Sequence, residues 1–120
     1  MRDFKKYDVW RESMKLVKQV YQFLESLPKE EKFGLSSQIS RAVVSIPSNI
    51  AEGSARTSDN EFKRFLEIAI GSAFELETQL LLCIDLGFVS EVSTSNILIE
   101  INKVQKQLNN LIIKIKNDNK

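Results

Sequence analysis

Apolar residues recur along this chain at alternating three- and four-residue intervals, in four separate runs. The first is Tyr7, Trp10, Met14, Val17, Tyr21 and Leu24. It predicts a helix over about 7–26, ended by Pro28, because the residue before a proline is pushed out of the helical region. The second run is smaller in volume: Ile39, Ala42, Ile46, Ile50 and Gly53. Beside it lies a polar stripe of Gln38, Arg41, Ser45, Asn49 and Glu52. Together they predict a helix from Glu30 or Leu35 to Ala55, its first turn loosened by Gly34 and its end weakened by Gly53 and Ser54. Pro47 falls inside this helix and predicts a kink, with a freed carbonyl within reach of the Ser45 or Ser48 hydroxyl.

The third run is Phe62, Phe65 with Leu66, Ala69, Ser72 with Ala73, Leu76, Leu80, Cys83 and Ile84, predicting a helix over 59–86. Ser58 followed by Glu61 fits a capping box at its start, and Gly87 stands where a helix stops. The fourth run is Ile97, Ile101, Val104, Leu108, Leu111 and Ile115, with Ser90, Ser93 or Thr94 as its cap and a tail over 116–120 expected to fray. No stretch sustains the two-residue alternation of a strand, and the breaks are short, so neighbouring helices should run antiparallel. The predicted fold is all-α: one domain over 1–120, an up-and-down antiparallel four-helix bundle with its second helix kinked near Pro47.

Composition narrows the function classes. With 42% hydrophobic and 28% charged residues the chain can build a core without disulfides or metals. The net charge of +1 supplies no global field toward nucleic acid or membrane. The charge is uneven, however. Residues 1–20 hold six Lys/Arg against three acids, and residues 61–100 carry Glu61, Glu67, Glu75, Glu77, Asp85, Glu91 and Glu100. Basic and acidic helices side by side would neutralise one another. There is no apolar run of membrane-spanning length and no secretory leader pattern at Met1–Lys6, which sets the cytoplasm as the expected location.

The chemistry available is limited. The chain has no histidine, which removes the commonest general base and metal ligand and leaves the serines without a partner. Cys83 is the only cysteine and reads as a small buried hydrophobe. Glu75 and Glu77 are two residues apart and point to different helix faces. No catalytic residue, metal ligand or cofactor is assigned, and the chain is read as a non-enzyme. Arg41 reads in two ways: as an inter-helix ion pair with Glu52, Glu75 or Glu77, or as an arginine presented to an anionic ligand. Arg56, Lys63 and Arg64 cluster near the second loop, where with Arg41 they are candidate contacts to RNA or DNA; the alternative is a solvated face. Gly71, Ser72 and Ala73 thin the third helix enough for another backbone to approach.

The blocks Phe33-Gly-Leu, Gln38-Ile, Arg41-Ala42, Ser45-Ile-Pro-Ser-Asn-Ile-Ala-Glu-Gly53, Phe62, Phe65-Leu66 and Glu75-Leu-Glu-Thr-Gln79 resemble one bacterial family. It is the four-helix-bundle family first described as proteins encoded in intervening sequences of 23S ribosomal RNA. The resemblance implies a ring-like homopentamer and a distant likeness to the accessory protein of diversity-generating retroelements, a basic pentamer that works with a reverse transcriptase. The family's polar motif falls on Gln38, Arg41, Asn49, Glu52, Arg56, Glu75 and Gln79, with Pro47 and Gly53 among its structural positions. No catalytic role transfers with it. Two functional readings follow: an oligomer that binds nucleic acid or a nucleic-acid-handling protein through basic surfaces, and a scaffold that binds only protein, itself included.

Overall fold

The computed structural model describes residues 2–118. Four α-helices follow one another: α1 (Asp8–Leu24), α2 (Leu35–Ser54), α3 (Asp59–Asp85) and α4 (Glu91–Asp118). Each packs antiparallel on the next, and α4 closes on α1. The pairs α1 with α3 and α2 with α4 therefore occupy diagonal corners. Among the described residues there is no strand.

Local chemistry sets the boundaries. The Ser58 hydroxyl accepts from the Glu61 backbone N–H at 3.1 Å and opens α3. Gly87 closes it with φ of 78°, a left-handed conformation that suits a residue without Cβ. There the Phe88 N–H donates to the Cys83 carbonyl and the Gly87 N–H to the Ile84 carbonyl, each at 3.0 Å, which satisfies the last carbonyls of the helix. Of the three candidate caps before α4, Ser90 serves: its hydroxyl accepts from the Ser93 N–H at 3.0 Å. Residues Lys29–Glu31 form a separate 3-10 turn, so α2 takes the later of its two predicted starts. The tail expected to fray is helical through Asp118; Asn119 and Lys120 lie outside the described residues.

Pro47 sits buried inside α2, and the helix continues on both sides of it. Neither serine meets a freed carbonyl as expected. The Ser45 hydroxyl bonds Ser72 at 2.9 Å and accepts from Asn49 Nδ2 at 2.8 Å, while Ser48 lies exposed.

The core follows the predicted stripes on three helices. Ile39, Ala42, Ile46 and Ile50 of α2 meet Phe62, Leu66, Ala69, Ala73, Leu76 and Leu80 of α3 and Ile101, Val104 and Leu108 of α4. On α1 the expected seam is displaced. The buried residues are Val9, Ser13, Leu16, Val20 and Phe23; Trp10, Val17 and Leu24 only edge the core. Met14 and Tyr21 are 46% and 49% exposed. Apolar side chains cover more than half the circumference of α1, so periodicity alone does not say which part faces inward. Ser13 tolerates the centre because its hydroxyl donates to the Trp10 carbonyl at 2.8 Å.

Gly53 is buried, and its role differs from the predicted helix stop. A Cβ built on it would lie 2.5 Å from Cβ of Phe65. The absent side chain is what lets the end of α2 meet the start of α3. Gly53→Ala is expected to force the two backbones apart and to lower stability by about 1–3 kcal/mol, the usual range for overpacking, read as a lower urea midpoint with unchanged slope.

Candidate functional site

The polar stripe of α2 runs along its seam with α3 and forms a relay. Asn49 Nδ2 donates to both the carbonyl and the hydroxyl oxygen of Ser45, each at 2.8 Å. The Ser45 hydroxyl also shares a hydrogen bond with the Ser72 hydroxyl across the seam, at 2.9 Å. The bond fixes the register of the two helices. One turn earlier on α2, Arg41 then stands level with residues 75–76 of α3.

Arg41 is exposed and, among the described residues, forms no ion pair. None of its three expected partners lies within ion-pair distance of it. Glu52 pairs with Arg56 at 3.4 Å. Glu77 faces α4, where it accepts from Gln105 Nε2 at 2.8 Å. Glu75 is exposed on α3. Gln38 is likewise exposed, whereas Gln79 is the motif's deeply buried polar side chain. Its Oε1 has no hydrogen-bond partner among the described residues.

The other basic candidates gather at the opposite end of the seam. Arg56, Lys63 and Arg64 surround the α2–α3 corner, about 22 Å along α2 from Arg41 at ~1.5 Å per residue. The Arg56 guanidinium lies 4.8 Å from the Phe65 ring centre. A further cation, not singled out by the sequence, holds the corner from the N-terminal side. Arg2 stacks over Phe62 at 4.6 Å, donates to the Arg56 carbonyl at 2.7 Å and pairs with Asp59. An open groove of about 580 Å³ runs past Arg2, Ala55, Arg56, Thr57 and Asp59. Its cations alternate with Glu52 and Asp59, so the corner is mixed in sign. A lone N-terminal arginine carries no periodic signal, which is why its role escaped the reading of the chain.

Nothing in this arrangement assembles a reaction centre. Cys83 is buried in the core, and burial pushes its thiol pKa up, with the charge of Glu31 adding to the effect. Among the described residues no group of three or more Cys, Asp or Glu converges to hold a metal ion, and no helix is long and apolar enough to cross a membrane.

The family model described as "23S rRNA-intervening sequence protein" matches residues 5–110, which takes in the motif, the corner and most of all four helices. The chain belongs to the 23S rRNA-intervening sequence protein family. A solved structure from Bacteroides thetaiotaomicron, described as a protein of unknown function from the S23 ribosomal protein family, is 28% identical. The alignment covers 87% of this chain and 97% of that one, with a TM-score of 0.80. No functionally curated protein matches.

Within this family member, Gln79 supplies a direct test of the site. An unpaired buried acceptor costs roughly 1–3 kcal/mol. Gln79→Met keeps the volume and removes the orphan oxygen, so it is expected to raise the unfolding midpoint. A lower midpoint would mean that the amide is satisfied in the folded protein.

Proposed function

We propose that this protein is a non-enzymatic, self-assembling helical scaffold that works as a homopentamer. The observation that carries the reading is the outer face of α3. Ile68, Phe74, Leu81, Leu82 and Leu86 stand there between 44% and 59% exposed, on the side of the helix turned away from the core. Five large apolar side chains on one exposed helix face exceed the scattered single residues that a monomer tolerates. Gly71 opens the same face, with nothing within 4 Å of where its Cβ would be. The family resemblance supports identical subunits as the occupants.

A second reading, contact with nucleic acid, draws support from Arg2 and Arg56 at the groove beside the α2–α3 loop, with Lys63 and Arg64 following in the first turns of α3. It is the weaker of the two, because Asp59 and Glu52 already pair with Arg2 and Arg56.

Two measurements on one preparation separate them. Light scattering on the full chain is expected to give the mass of a pentamer, and Leu82→Asp with Phe74→Asp to give folded monomers. A wild-type monomer across the micromolar range would sink the scaffold reading. Titration with labelled structured RNA is expected to show binding only at low salt. Binding that survives near-physiological salt and is lost on neutralising Arg56, Lys63 and Arg64 would establish the second reading.

A further inference from the structure

The α2–α3 corner forms a cage around a guanidinium, and the N-terminal arm, residues 2–6, supplies the occupant. Arg2 uses both ends of its fork there. Nη1 donates to the Arg56 carbonyl at 2.7 Å and to the Ser54 carbonyl at 3.4 Å, and Nη2 pairs with the Asp59 carboxylate. The guanidinium carbon lies 4.6 Å from the centre of the Phe62 ring, which gives the cage an aromatic floor.

Each wall of the cage suits a cation. Ser54 is the last residue of α2, where a helix leaves its carbonyls unpaired and its dipole is negative. Asp59 opens α3 with a carboxylate, and the face of Phe62 attracts positive charge. Carbonyls on one side and a carboxylate on the other fit the planar fork of an arginine better than the point charge of a lysine. A phosphate at the same place would meet the Asp59 carboxylate and two carbonyl oxygens.

The arm holds its arginine loosely. Among residues 2–6 no side chain is buried, and only Arg2 and Phe4 are half-buried. Phe4 meets the edge of Trp10 with ring centres 5.1 Å apart, and the Lys5 carbonyl accepts from Arg11 at 2.7 Å. A segment with so little buried area lies at the low-cost end of local opening. The cage is built instead on the packed ends of α2 and α3, where Ser54 and Phe62 are 2% and 1% exposed.

We propose that the α2–α3 corner is a recognition site for an arginine side chain, and that the N-terminal arm is a latch whose Arg2 fills the site until an arginine-bearing peptide segment of a partner displaces it. The site lies within one chain, so it stands whether or not copies assemble.

The probe is N-acetyl-argininamide, with N-acetyl-lysinamide as its comparison, titrated into the isotope-labelled full chain and followed by the backbone amide resonances of residues 54–62. Arg2→Ala is expected to bind the arginine probe saturably in the millimolar range and the lysine probe far more weakly. Wild type is expected to bind the arginine probe at least about tenfold more weakly than Arg2→Ala, since apparent affinity falls with the fraction of chains whose arm is lifted. Trp10, the one tryptophan of the chain, reports the latch: the arginine probe is expected to shift its emission in wild type as Phe4 leaves its edge. Asp59→Asn added to Arg2→Ala is expected to abolish binding, and binding that survives it would overturn the cage. Equal affinity for the two probes would reduce the corner to general attraction of cations and overturn the site. Equal affinity of wild type and Arg2→Ala would overturn the latch, and no binding by Arg2→Ala would overturn both. Should Arg2→Ala fail to fold, wild-type Trp10 emission decides: a shift with the arginine probe alone supports the latch, and no shift, or the same shift with lysine, overturns it.

Discussion

The close approach of α2 to α3 is the constraint on which the rest of this molecule depends. At one end the missing side chain of Gly53 admits Phe65. Along the middle, Ala42, Ala69 and Ala73 keep the buried interface thin, and Ser45 bonds Ser72 across it. Small residues at such a seam bring the backbones together and fix the register of each turn, at the expense of tolerance to added volume. The fixed register decides how α3 is rotated. Its core stripe faces α2 and α4, and Ile68, Phe74, Leu81, Leu82 and Leu86 are turned out. The exposed face is thus a consequence of the motif, although it contains few of the motif's residues.

How much of this was legible depends on how narrow each helix's apolar stripe is. On α2, α3 and α4 one stripe is clearly better than its neighbours, and it is buried, with Val43 of α2 and Gln79 of α3 among the buried residues outside it. On α1 apolar residues run from Val9 around to Met14 and Tyr21, and two seams fit equally well. The spacing favoured the wrong one because Ser13, a polar residue at the true centre, hides its hydroxyl in the helix backbone. Gly53 shows a different limit. A glycine that ends a helix and a glycine that admits a neighbour fall at the same place in sequence, and only the position of Phe65 separates them.

The charged positions were legible as residues and not as pairs. Arg56, Lys63 and Arg64 are close in sequence and share a corner, as adjacency alone would give. Arg41, among apolar neighbours, reads from sequence either as an ion-paired anchor or as an arginine presented outward; its position on the wheel is one with Gln38 and Glu52, on the outer polar stripe, and the anchoring pair is not formed. Pairing depends on rotation and register, which sequence spacing within one helix does not contain. The same holds for Gln79, whose burial follows from the depth of the α2–α3 seam at that level.

Charge on α1 is largely settled within the chain. Arg11 pairs with Asp8, and Glu12 lies between Lys15 and Lys103 of α4. Exposed ion pairs of this kind contribute about 0–1 kcal/mol each, and most of them could be shuffled without harm to the bundle. The helix α3 differs: Asp59, Glu61, Glu67, Glu75, Glu77 and Asp85 stand against Lys63 and Arg64, and its outward residues include Ile68, Phe74, Leu81 and Leu82. Electrostatic complementarity sets orientation and excludes like-charged contacts more than it adds affinity. A surface that covers α3 would therefore gain its adhesion from the apolar side chains and its direction from the acids among them.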